Sequence, residues 1–297
     1  MLWKLPEILV PSEPLFYIGP VPISNTLLLA WLNALFLFAI FFAFSRARKR
    51  GDVPGRFQNA VEWVINALLG LCEEVAGKRK GRIFFPWVAG IFLVVLLSNL
   101  WEVVPGVASI GLINHEIPGC ANATATFGVF LVDKQYSNCI TPILRPPSTD
   151  LNFTIAIAIV SVVVTQIYGF RMLGARAQLG RYFSLREGPM GLFVGLLEAI
   201  LEVARIISFS FRLFGNLFAG DTLLLVISFL LPVVGAIPFY FLELFVGFIQ
   251  AFVFAMLTLI FLTLGTIGHD EHDEEEKHTE EVARAERLRA EEALAAQ

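Results

Sequence analysis

Charge is scarce in this sequence. Asp, Glu, Lys and Arg make up 16% of its 297 residues, against about 25% in soluble domains. That leaves no extended basic surface for a nucleic acid. Histidine occurs four times, and three of the four, His269, His272 and His278, sit in the run HDEHDEEEKH. Such a run can hold a metal, but a solvated charge run is the commoner reading, so no metal is expected. Cysteine occurs three times, at Cys72, Cys120 and Cys139, without the paired spacing of a zinc site. Cys120 and Cys139 share one loop and can form a disulfide if that loop faces an oxidising compartment; Cys72 reads as a small buried side chain. The first twenty residues lack a basic region followed by an apolar core, so no cleavable signal peptide is expected.

What fills the chain instead is hydrocarbon. It is 56% hydrophobic with 28 Phe and a mean hydropathy of +0.70, well past the apolar share of a soluble globule. The net charge of −4 hides an asymmetry: residues 269–297 carry eleven acids and four bases, and the rest 18 bases against 15 acids. The pattern predicts an all-α polytopic membrane protein of five membrane helices and one amphipathic interfacial helix. Residues 1–22 form an N-terminal segment and 23–268 the membrane domain, with an acidic tail over 269–297. Within the membrane domain, helices are expected over 23–45, 83–104, 151–170, 190–231 and 238–268, each long enough for a hydrocarbon core of about 30 Å. Between the first two, Phe57, Val61, Val64, Ile65, Leu68, Leu69 and Cys72 recur at steps of three and four, the period of an amphipathic helix over 57–76. A long polar loop covers 105–150.

Basic residues orient the chain. Thirteen fall in 46–56, 78–82 and 171–186, whereas the opposite side has Lys4, Lys134 and Arg145. The basic loops and the tail are therefore expected in the cytoplasm, and the N-terminus and the 105–150 loop outside. This bookkeeping requires 190–231 to cross once. Forty-two helical residues span about 63 Å, twice the membrane, so the helix must tilt steeply.

That long helix carries a polar stripe. Glu198, Glu202, Arg205, Ser208, Arg212 and Asn216 follow one another at steps of three or four, which keeps them on one face. The last helix places Glu243 and Gln250, seven apart, on one face at matching depth. The bland reading is packing glue, and Glu202 with Arg205 fits it as an i,i+3 pair. Arg212 resists that reading. A mid-membrane arginine costs at least about 2.5–3.5 kcal/mol, it cannot discharge by losing a proton, and no acid of its own segment lies within one turn. Its partner is expected on another subunit. Carboxylates can exchange protons across such a site, while a permanent cation between two rows of acids attracts a passing carboxylate and blocks a direct leak.

The stretch SFSFRLFGNLFAGD resembles the RLFGN motif of subunit a of the F-type ATP synthase. DVPGRFQNAVEWV, NLWEVVP, PPSTDLN and GFIQAFVFAMLT resemble further parts of that family, so the likeness covers about residues 20–268. The resemblance implies a stator subunit with two offset half-channels that pass protons to a rotating c ring, with no catalytic site of its own and no cofactor. It implies that Arg212 faces the ring carboxylate. Asn216, Asp221, Glu243, Gln250 and Glu102 would line the outer half-channel, and Glu198, Glu202, Arg205 and Ser208 the cytoplasmic one or its approach. The implied partners are the c ring, the subunit b stalk, the rest of the complex and the lipid bilayer. The implied ion is H⁺, with Na⁺ as the alternative, and the implied location is the bacterial inner membrane. The family more often has Glu or His at the position of Asp221, and often His at that of Glu243. Two other classes compete, a stand-alone secondary transporter and a structural membrane scaffold. The sequence has no internal repeat of the kind transporters show.

Overall fold

The computed structural model describes residues 14–48, 55–104, 111–113, 140–182, 189–231 and 235–266. The chain is predominantly helical. It runs β1 (Pro14–Ile18), β2 (Val21–Ser24), α1 (Asn25–Arg48), α2 (Arg56–Val103), β3 (Gly111–Ile113), β4 (Ile140–Pro142), a 3-10 turn (Pro147–Thr149), α3 (Leu151–Leu173), α4 (Ala175–Tyr182), α5 (Pro189–Leu230) and α6 (Ala236–Leu264). Four of the helices, α1, α2, α3 and α6, are long and apolar enough to cross a membrane, as an all-α polytopic membrane protein requires. Two small antiparallel ribbons, β1–β2 and β3–β4, and the short α4 were not expected. The ribbons span few residues with little periodicity, and α4 lies in the stretch read as the 171–186 loop. Cys120, Cys139, His269, His272, His278 and the acidic tail lie outside the described residues.

The core joins stripes of α2, α5 and α6, with Ala158 and Val164 of α3 packed in the same cluster. Phe84, Val88, Phe92 and Val95 of α2 meet Ala251, Phe254, Ala255, Leu259 and Leu262 of α6, and Phe209, Leu213 and Leu217 of α5 close the third side. Within each set the residues lie mostly three or four apart, so each helix presents one ridge. Phe209 packs at 4.9 Å from the Phe254 ring and 5.7 Å from that of Phe261. Small residues let α2 and α6 approach, because hydrocarbon solvent offers no hydrophobic drive between helices and close packing must supply the attraction. At Gly247, Asn99 Nδ2 donates to the glycine carbonyl at 2.8 Å, and a Cβ there would press on the Asn99 side chain.

Polar residues pin the opposite ends. Asp150 caps α3 through the Asn152 amide at 2.9 Å and accepts from Thr26 Oγ1 at 2.7 Å, tying α3 to the start of α1. Trp101 Nε1 donates to Asn33, whose amide donates to Ser98 at 3.0 Å. Apart from this face, α1 exposes Trp31, Phe36, Phe38 and Phe42, a surface suited to lipid. At the other end α2 breaks at Gly77, the one non-helical residue inside it, with φ 76°. With ψ at 157° as well, this is a backbone conformation essentially reserved for glycine. The break separates 56–76 from 78–103, and Gly81 lies so close to the Cys72 backbone that a Cβ would collide with it. Along 56–76, Cys72 is buried and Leu68 packs on the core, while Phe57 and Val64 stay exposed. Lys80 donates to the Thr266 carbonyl at 3.4 Å, fastening the elbow to the end of α6.

Candidate functional site

The polar residues of α5 divide into three groups along one helix. Toward its N-terminus, Arg205 pairs with Glu202 at 2.9 Å, and its guanidinium lies 3.7 Å from the centroid of the Phe261 ring on α6, a cation–π contact. Glu202 also accepts from Gln166 of α3 at 2.7 Å and from Tyr182 of α4 at 3.5 Å. Glu198, one turn earlier, is half-buried. Two turns after Arg205 stands Arg212, exposed on the surface of the bundle. Among the described residues its polar contact is Ser208 Oγ at 3.4 Å, with no acid beside it. Ser208 is exposed as well.

Beyond Arg212 the polar residues are amides and acids. Asn216 Nδ2 donates to Gln250 Oε1 across the α5–α6 interface at 2.8 Å. Gln250 is 5% exposed and its Nε2 is buried with no partner among the described residues; the same holds for Glu243, also 5% exposed, at Oε1. Gly220 makes room for Glu243, because a Cβ there would run into the carboxylate. Glu102 near the end of α2 has both carboxylate oxygens buried, meets the Asp221 backbone and lies within electrostatic reach of Glu243 and Asp221. Asp221 keeps an exposed side and feels Arg145 from the segment before α3. Residues from α2, α5 and α6, far apart in sequence, thus meet in one acidic region. Buried polar atoms without protein partners are costly, which fits a region that admits water or an ion.

This chemistry, carboxylates on one side of an unneutralised arginine and an ion pair on the other, suits charge transfer across a membrane better than bond making. A sequence model of the ATP synthase A chain family matches residues 27–263. The chain belongs to the ATP synthase A chain family. The chain is 30% identical over 256 residues to ATP synthase subunit a of Moorella thermoacetica, covering 86% of this chain and 96% of that protein. It is 29% identical over 240 residues to ATP synthase subunit a of a Campylobacter jejuni strain, covering 80% and 88%. ATP synthase subunit a 1 of Syntrophotalea carbinolica matches at 30% over 236 residues, covering 78% and 82%. Membership bears out the resemblance of the RLFGN stretch and implies a membrane-embedded, proton-translocating subunit of an ATP synthase complex.

Arg145, Gln166, Gln178, Tyr182 and Phe261 were not anticipated around the site. A signal existed for Gln166, a glutamine deep in the largely apolar α3, since an amide inside a membrane helix seeks a partner there. Nothing comparable marked Gln178 or Tyr182, because the short α4 has no apolar period long enough to be read.

Proposed function

We propose that this chain is the stator subunit a of a rotary F-type ATP synthase. It provides two offset half-channels that bring protons to and from a carboxylate on the c ring. In this reading the outer path runs past Glu102, Asp221, Glu243, Gln250 and Asn216. The inner one opens near Glu198, with Glu202, Arg205 and Ser208 along its approach. Arg212 separates the two: it draws the arriving ring carboxylate out of its protonated state and denies ions a continuous path. Each charge that crosses yields about 2.3 kcal/mol per 100 mV, so several must pass for each costly step driven by rotation. The ring and the subunit b stalk are the partners, and the energy-transducing membrane is the bacterial inner membrane, with the basic loops in the cytoplasm and the N-terminus outside. Five helices cross it, α5 steeply tilted, and 56–76 lies at the interface.

The observation that supports the reading is the exposed Arg212, which has no acid beside it among the described residues. An arginine held in hydrocarbon needs a counter-charge or water, and a carboxylate on a neighbouring ring supplies the former. In the assembled complex, Arg212→Gln is expected to abolish ATP-driven proton pumping while leaving assembly intact, whereas Arg205→Gln does less harm. Acidification of inverted vesicles measures both. Pumping at the wild-type rate by the Arg212 variant would refute the mechanism. Repeating the flux measurement with and without Na⁺ decides which ion is carried.

A further inference from the structure

Two arginines occupy the same face of α5, seven residues and so about 10 Å apart along the axis. Neither can lose its charge, yet their surroundings differ. Arg212 touches one hydroxyl. Arg205 is held on two sides, by the Glu202 carboxylate and by the Phe261 ring. Glu202 is in turn held by another helix: the two N–H groups of Gln166 Nε2 reach Glu202 Oε1 at 2.7 Å and Tyr182 Oη at 2.8 Å. Gln166 Oε1 accepts from Gln178 Nε2 at 2.8 Å, and Gln178 is 2% exposed. The chain of contacts spans α3, α4, α5 and α6. It is built for close fit: Gly169 faces the Gln178 amide and Gly195 the Tyr182 carbonyl, and a Cβ at either would collide with it.

We propose that Gln166, fixed by Gln178 and Tyr182, is a positioning residue that clamps Glu202 onto Arg205, so that the rotating ring meets one mobile cation, Arg212, and not two. The inference rests on the stator reading above. A carboxylate that accepts from several directions is oriented as well as neutralised, and hydrogen bonds to charged groups are worth more than those between neutral ones. Released from the clamp, Glu202 can turn away and Arg205 can extend toward the same arriving carboxylate. In a low-dielectric setting that second ion pair is strong and forms where the ring has to move on.

The test is a double-mutant cycle in the whole complex. Gln166→Leu is expected to slow ATP-driven pumping about tenfold to a hundredfold, the scale of one hydrogen bond to a charged group. Adding Arg205→Gln should restore the rate to that of Arg205→Gln alone, because the cation the clamp restrains is gone. A residue that merely supports packing would show independent losses that multiply. If Gln166→Leu reduces the amount of assembled complex, Gln178→Met probes the same chain one step back and is judged by the same rescue. Losses in pumping or assembly that Arg205→Gln does not relieve in either background overturn the proposal, as does wild-type pumping by both single variants. Arg212→Gln, measured alongside, separates the two failures: normal pumping by it refutes the stator reading itself, whereas its loss of pumping together with no rescue by Arg205→Gln overturns the clamp alone.

Discussion

At the scale of single residues, the acidic region holds buried polar atoms without partners, and these direct the mutational expectations. Glu243 is nearly fully buried, with one oxygen unpaired. Its replacement by Leu keeps the volume and removes both the charge and the acceptor. Passive proton flux through the membrane sector, freed of its catalytic head, is expected to fall by about tenfold or more, while the complex assembles normally. Unchanged flux would take Glu243 out of the path. Much at this scale was legible beforehand, since the stripe from Glu198 to Asn216 follows from spacing alone. The pairing of Asn216 with Gln250 was not, because two helices that share a depth need not share a rotation about their axes.

Helices and their breaks obey local rules, and glycine marks where neighbours come closest. Gly220 faces the Glu243 carboxylate across the α5–α6 contact. Gly220→Val is expected to push that carboxylate aside and slow passive flux, as Glu243→Leu does, although the substituted side chain carries no charge. The two changes combined should be no worse than the more harmful of them, since both act on one group. A multiplicative loss would place Gly220 outside the path's design. The weak amphipathic period over 57–76 and the basic turn after it already implied the two helices that Gly77 separates within α2. Only the left-handed Gly77 reveals how sharply the chain bends between them. The element that escaped notice, α4, has eight residues and owes its place to packing against α3 and α5, not to any propensity of its own.

For the molecule as a whole, the distribution of Lys and Arg sets a sidedness that can be measured directly. Arg79 is exposed at the elbow of α2, and Tyr17 is 68% exposed in the β1–β2 ribbon. With the other reactive cysteines replaced, a cysteine at 79 should label with a membrane-impermeant thiol reagent in inverted vesicles. A cysteine at 17 should label in right-side-out cells. The reverse pattern would invert the chain in the membrane.

By itself, the sequence determined the class of solvent, the direction of each helix's polar face and the family, because hydropathy, a 3.6-residue period and a long motif are properties of neighbouring residues. Tertiary structure alone decided which polar residues meet. Glu102 joins Asp221 and Glu243, and Gln166 reaches Glu202, through the rotation and closeness of packed helices. Those depend on side-chain fit at distant positions such as Gly169, Gly195 and Gly220. The division between a restrained Arg205 and Arg212 has both origins: Glu202, one turn before Arg205 on α5, is legible in the sequence, whereas Phe261 and the Gln166 that holds Glu202 are brought by other helices.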